Sequence, residues 1–224
     1  MPLPLGPVVD PAPRPEPPLI PLVGAHVTLE PLGPEHVAPL WEAAAGAEAS
    51  WTYMVYGPFP SAETLAAHVA LFRARPGLRV WAVVPRGGEA AGWLALMDIQ
   101  PANAAIELGH IWFAPRLRRT RAATEAMLLP LRLAADALGY RRLVWKCDAL
   151  NAASRRAAER LGFTYEGTLR AHMVVKGRLR DTAMYSIVGA EWPARRDAAQ
   201  AWLAPDNWAD GRPRRPLADF AAGR

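Results

Sequence analysis

Residues 113–126 constrain this chain more than any other segment. Phe113-Ala-Pro-Arg-Leu-Arg-Arg-Thr-Arg-Ala-Ala-Thr-Glu-Ala126 runs from a strand-like end through a basic loop into a helix. Unpaired N–H groups and the positive helix end face such a loop, which makes a ready anion site. Arg116, Arg118, Arg119 and Arg121 add charge and the planar fork that matches phosphate. A solvated basic turn has the same pattern. On either reading the topology narrows. The strand before the helix and the run Arg142-Leu-Val-Trp-Lys-Cys147 after it should be parallel neighbours joined by a crossover.

The chain has 224 residues, 51% apolar and 21% charged, a globular composition able to bury a full core. Its lone cysteine, Cys147, excludes an intrachain disulfide framework and a cysteine-rich zinc site; no metal is expected. Prolines interrupt any apolar signal-like run near Met1, and no apolar run approaches the ~18 residues of a membrane helix. The expectation is a cytoplasmic protein without a membrane partner. The net charge of +5 and pI near 9.9 admit a nucleic-acid partner. The excess is local, however, in the basic loop and in Arg212, Arg214 and Arg215, and fits a small polyanion equally well, so no nucleic-acid partner is expected.

Three regions are expected. Residues 1–22 form a proline-rich arm, with nine of the 23 prolines in the first 21 residues. Residues 23–203 form one folded domain, and 204–224 an irregular tail. Within the body, strands are expected at His26–Leu32, Arg79–Pro85, Glu89–Ile99, Ala104–Phe113, Arg142–Cys147, Phe163–Leu169 and Thr182–Val188. Helices are expected at Pro34–Ala45, from Ser61 to Arg73, Arg121–Leu138, Asn151–Leu161 and Glu191–Leu203. Pro130 lies inside the third helix and should kink it, and Gly139 should stop it.

A second segment, Asp148-Ala-Leu-Asn-Ala-Ala-Ser-Arg-Arg-Ala-Ala-Glu-Arg-Leu-Gly-Phe-Thr-Tyr-Glu-Gly167, carries an Asn-x-x-Ser helix ending in Gly-Phe. Together with the basic loop it resembles the Gcn5-related N-acetyltransferase (GNAT) superfamily, over about Val27 to Trp192. Ile106-Glu-Leu-Gly-His110, Ala122-Ala-Thr-Glu-Ala126 and Lys176-Gly-Arg-Leu-Arg-Asp181 look like its RimJ/RimL-like branch, which acts on ribosomal-protein N-termini.

The resemblance implies an α/β (α+β) fold: a mixed, mostly antiparallel sheet with a parallel splayed strand pair, flanked by helices. Acetyl-coenzyme A would lie in the gap between the strands around Ile111 and Trp145. Its pyrophosphate would meet Arg118, Arg119, Thr120, Arg121, Ala122 and Ala123. Its pantetheine arm would pair with Ile111, Trp112 and Phe113, with Asn151 and Ser154 beside it. The implied reaction is direct attack by a primary amine, from a protein N-terminus or a small molecule, with a backbone N–H stabilising the oxyanion. The protein would need no covalent intermediate.

Two positions depart from the family pattern. Arg121 stands where the loop usually has glycine, which lets backbone approach the phosphates. Ala158 stands where many relatives have a tyrosine acid. Ser154 is therefore the candidate acid, against a purely local hydrogen bond near its helix start. Glu107, aimed into a partly buried cleft, is the candidate base, against simple pairing with an arginine. His110, three residues on, should face the opposite side of the strand unless a bulge intervenes.

The aromatic loop, with Trp51, Tyr53, Tyr56 and Phe59, is the candidate substrate wall. His172 and Asp181 are candidates on the substrate side, with structural roles the stronger alternative. A non-catalytic coenzyme A-binding module, a different acyl group and a homodimer all remain compatible with the sequence.

Overall fold

The computed structural model describes residues 3–221. Ten strands occur: β1 (Leu22–Val23), β2 (Val27–Pro31), β3 (Arg79–Pro85), β4 (Gly92–Gln100), β5 (Ala105–Phe113), β6 (Arg142–Asp148), β7 (Thr164–Val175), β8 (Arg178–Val188), β9 (Trp208–Ala209) and β10 (Arg212–Pro213). Six helices accompany them: α1 (Val37–Ala44), α2 (Ala62–Ala74), α3 (Arg121–Arg132), α4 (Ala152–Arg160), α5 (Trp192–Leu203) and α6 (Leu217–Ala221). The first eight strands form one sheet in the order β1-β2-β3-β4-β5-β6-β8-β7. Every pairing in it is antiparallel except β5 with β6.

Local chemistry explains the element ends. Ser61 caps α2 by accepting the N–H of Thr64, and Thr120 caps α3 by accepting that of Ala123. Helix α3 continues through Pro130 and then widens into a π turn over Leu133–Ala137, which relaxes the ladder that proline interrupts. Gly139, at φ 74°, closes it. Buried Glu125 of α3 accepts the N–H groups of Ala25 and His26, at 2.9 and 2.6 Å, and so pins the helix to the start of β2.

The described segments on either side of this body are tied to it. Residues 3–21 have no regular secondary structure, yet residues 10–20 lie along the strand ends. Trp81 Nε1–H donates to Ile20 C=O at 2.7 Å, Arg79 reaches Pro17 and Glu16, and the Tyr140 hydroxyl donates to Pro15 C=O. Beyond Leu203 the expectation of an irregular tail is corrected: a short helical turn, the hairpin β9–β10 and α6 follow. Trp208 packs edge-on against Trp202 at 4.8 Å, Leu217 is buried, and buried Asn207 bonds the backbone of Trp202 and Arg215. Buried tryptophan and leucine surface outweighs the ordering cost that the Pro/Gly/Arg-rich composition suggested. No helix among the described residues is long and apolar enough to cross a membrane.

Candidate active site

The β5–β6 ladder runs for three residue pairs, Ala105–Arg142, Ile106–Leu143 and Glu107–Val144, and stops. Beyond it β5 continues to Phe113, still paired with β4, while β6 continues to Asp148, still paired with β8. The two central strands therefore part just past Glu107, each with an unpaired edge facing the gap. Peptide groups along such edges seek an extended partner.

Glu107 sits at the vertex, 5% exposed. Lys146 Nζ lies 2.8 Å from Glu107 Oε2, at an angle that leaves this oxygen without a well-directed hydrogen bond, and 2.8 Å from Asp98. Burial pushes the Glu107 carboxyl above its ordinary range, and Lys146 offsets only part of that. Burial works against the Lys146 ammonium, but its bonds to Asp98 and Glu107 hold its pKa above the usual lysine value. The glutamate is thus paired, though with a lysine rather than an arginine.

A bulge changes the face assignments. Trp93 pairs with Trp112 and Ala95 with Gly109, so β5 carries one more residue than β4 between these pairs. His110, at φ 51°, is part of that bulge. Glu107, Gly109 and Trp112 consequently share one face, opposite Met97, Ala95 and Trp93. The His110 ring packs on that face against Phe72 at 4.9 Å and Tyr56 at 5.6 Å. Strict alternation, which sends Glu107 and His110 to opposite faces, is therefore overridden. Burial lowers both His110 and neighbouring His68 to a pKa of about 4, so both are neutral at pH 7.

Ser154 lies in the first turn of α4, across the gap on the β6 side. Its hydroxyl oxygen accepts the Trp145 indole N–H at 3.0 Å, which leaves its own proton to donate. Asn151 caps α4, its carboxamide oxygen accepting the Ser154 N–H at 3.0 Å. Burial raises the adjacent Cys147 thiol, which suits a small core residue better than a nucleophile. Ala158 is fully buried.

At the far end of the gap, the N–H groups of Arg121 and Ala122 make no bond to other backbone within the described residues. Arg118 turns inward, its Nε donating to Phe113 C=O at 2.9 Å. Arg119 is exposed. This loop and the open strand edges match the needs of a phosphate-bearing extended thioester such as acetyl-coenzyme A.

The aromatic loop is placed differently from the expectation. Trp51 is buried and stacks on Trp112 at 4.4 Å, and Tyr56 accepts the Trp93 indole N–H, so both complete a core cluster. Phe59 is half-buried at its edge, and Tyr53 is exposed. His172 and Asp181 are engaged structurally: His172 Nδ1 bonds the Thr182 hydroxyl, and Asp181 accepts the Ala171 N–H at 2.7 Å. Lys146, Asp98 and the lysine at the hairpin tip were missed. Lys176 donates to Trp51 C=O at 2.8 Å, bringing the β7–β8 hairpin onto the aromatic loop. Nothing local in the sequence signals these long-range pairs.

A sheet with one parallel pair that parts over a helix N-terminus defines an acyl-coenzyme A-binding acyltransferase fold. Residues 26–164 match the acetyltransferase (GNAT) domain family, and the chain belongs to that family. It is an acyl-coenzyme A-dependent N-acetyltransferase. It is similar to the crystal structure of a GCN5-related N-acetyltransferase from Brucella melitensis, with 41% identity, a TM-score of 0.91, and coverage of 94% of this chain and 97% of that one. It is also similar to RimL, the ribosomal L7/L12 alpha-N-protein acetyltransferase, at 25% identity and a TM-score of 0.65 over 75% of this chain and 93% of that one. A Bacillus subtilis protein that bears the name "Putative ribosomal N-acetyltransferase YdaF" is 29% identical over 105 residues. That match spans 47% of this chain and 57% of the relative's length. The resemblance to a RimJ/RimL-like branch stands on these relatives.

Among the described residues, no group of three or more His, Cys, Asp and Glu is placed to hold a metal.

Proposed function

We propose that this protein acetylates a primary amine, the α-amino group of a protein N-terminus or a small-molecule amine, by direct attack within a ternary complex. The observation that carries the reading is the parting of β5 and β6 with Glu107 on one side and Ser154 on the other. Acetyl-coenzyme A supplies an acetyl group activated as a thioester. The open edge at Ile111–Phe113, the N–H groups of Arg121 and Ala122, and Arg119 would hold it.

Glu107 receives the proton of the incoming ammonium, directly or through water; its raised pKa brings it closer to that task. Lys146, shared with Asp98, keeps the carboxylate aimed along the gap. Ser154 donates its proton to the departing thiolate and takes up, directly or through water, the proton that the nitrogen of the collapsing intermediate loses as the amide forms, its oxygen being fixed by Trp145. Tyr53 and Phe59, at the accessible rim of the aromatic cluster, border the acceptor, whereas Trp51 and Tyr56 support them from beneath.

The test has two parts. Thermal unfolding with acetyl-coenzyme A at about 100 times its dissociation constant should add ~2.7 kcal/mol of stability, a rise of about 2–4 °C per kcal/mol at this size. Thiol release is then followed with peptides bearing free N-termini, polyamines and aminoglycosides. Turnover on one class names the acceptor. A thermal shift with no turnover on any amine would favour the non-catalytic coenzyme A-binding reading.

A further inference from the structure

Arg121 occupies the loop position where its family usually has glycine, and its side chain does not enter the loop. It turns to the C-terminal tail, where one Nη donates to Leu203 C=O and the guanidinium lies 4.9 Å from the Trp208 ring centroid. Trp208 is fixed in turn, its indole N–H donating to Trp202 C=O at 2.8 Å. The substitution thus links the basic loop to β9–β10, a hairpin that lies outside the residues matching the family.

Between loop and hairpin lies a cleft of about 420 Å³. Arg119, Arg121 and Ala122 line one side, and Trp208, Asp210 and Gly211 the other. Three features bear on what fits there. Trp208 and the Arg121 guanidinium offer planar π surface of the kind on which nucleobases stack. Arg119, exposed and held at φ 62° just before the Thr120 cap, adds a cation beside the unpaired N–H groups of α3. Gly211, at φ 73°, turns the hairpin sharply and presents no side chain there. Asp210 is the one acidic group on the wall and opposes an anion.

We propose that the C-terminal hairpin completes a subsite for the nucleotide end of coenzyme A, the cleft holding its 3′-phosphoadenosine moiety. The proposal rests on the acetyltransferase reading. The base stacks at Trp208 and Arg121, and the 3′-phosphate faces Arg119. Arg121 then serves as a clamp that holds the hairpin over the cofactor, in place of the close backbone approach a glycine allows.

The test compares dissociation constants for coenzyme A, dephospho-coenzyme A, 4′-phosphopantetheine and adenosine 3′,5′-bisphosphate on the full chain. The wild type should bind coenzyme A more tightly than 4′-phosphopantetheine, and should bind the free bisphosphate measurably. Trp208→Ala should reduce that preference by about tenfold, leaving 4′-phosphopantetheine affinity unchanged. Arg119→Ala should weaken coenzyme A more than dephospho-coenzyme A. Asp210→Lys, an exposed change that does not depend on hairpin packing, should tighten coenzyme A several-fold at low salt and much less at high salt.

If Trp208→Ala fails to fold, Asp210→Lys and Arg119→Ala decide. Coenzyme A bound by the wild type, with a preference over 4′-phosphopantetheine that no variant alters, would overturn the subsite alone. Failure of the wild type to bind any of the four ligands would remove the acetyltransferase reading and the subsite with it.

Discussion

At the scale of single residues, the site is a set of groups whose ordinary chemistry is altered by burial. Ser154→Ala should lower kcat by about 10²-fold or more with cofactor affinity nearly unchanged. It also leaves the Trp145 indole N–H unpaired, at a cost of about 1–3 kcal/mol. Trp145→Phe removes that donor and keeps the hydroxyl, so it should retain far more turnover. Equal turnover in wild type and Ser154→Ala would clear Ser154 of the acid role.

Glu107→Gln should abolish the acidic limb of the pH–rate profile, because wild-type activity rises as the carboxyl ionises. The stability effect has the opposite sense. A carboxyl whose folded pKa is raised stabilises the protein below its unfolded value and loses that contribution as pH rises through the folded one. Glu107→Gln should therefore gain stability relative to wild type as pH rises across that window, with Lys146 still bound to Asp98. Glu107 and Ser154 were legible as candidates from their places in motifs. Lys146 was not, because its partners lie 39 and 48 positions away in the chain.

Elements were legible where local chemistry decides them. Strand Arg79–Pro85, the Ser61 cap, and the glycine stops at Gly139 and Gly162 all follow from short-range preferences. β7 extends six residues beyond the expected Leu169; the added residues 170–175 are largely exposed although four of the six are apolar, and they are held by pairing with β8 rather than by burial. The bulge at His110 was equally hidden, since register belongs to two strands at once.

Two glycines test how β4 and β5 meet. A Cβ at Gly92 would lie 2.3 Å from the Trp112 carbonyl oxygen, so Gly92→Ala must force backbone apart. It should cost about 1–3 kcal/mol by denaturant unfolding. A Cβ at Gly109 would instead meet the Met97 sulfur at 2.6 Å and a Glu107 oxygen at 3.0 Å, both ends of flexible side chains. Gly109→Ala should leave stability nearly intact and depress turnover by displacing Glu107. Matched losses of stability in the two variants would count against this distinction.

For the whole molecule, acid is the informative perturbant. His68 and His110 are held to about 4 against an ordinary 6.5, chiefly by burial. A depressed pKa gives stability that is present above the unfolded value and lost as pH falls through the folded one. Stability should thus decline between about pH 6.5 and 4 with a slope approaching two protons, and His68→Phe should remove about one of them. Deleting residues 1–21 is a second global test. It strips Trp81, Arg79 and Tyr140 of their partners, so the unfolding midpoint should fall, by about 2–4 °C for each kcal/mol lost.

The order of elements within the body, the crossover that makes β5 and β6 parallel, and the capped start of α3 after the basic loop were all determined by sequence, because each rests on neighbouring residues and chain chirality. Tertiary structure alone decided where β5 and β6 part, which face Glu107 and His110 share, and that Lys146 sits between two carboxylates. It also decided that Trp51 and Tyr56 of the aromatic loop would pack into a core cluster, and that the tail would fold back on Arg121. Each of these outcomes depends on surfaces that meet only after distant segments pack, and on burial free energy that no local pattern records.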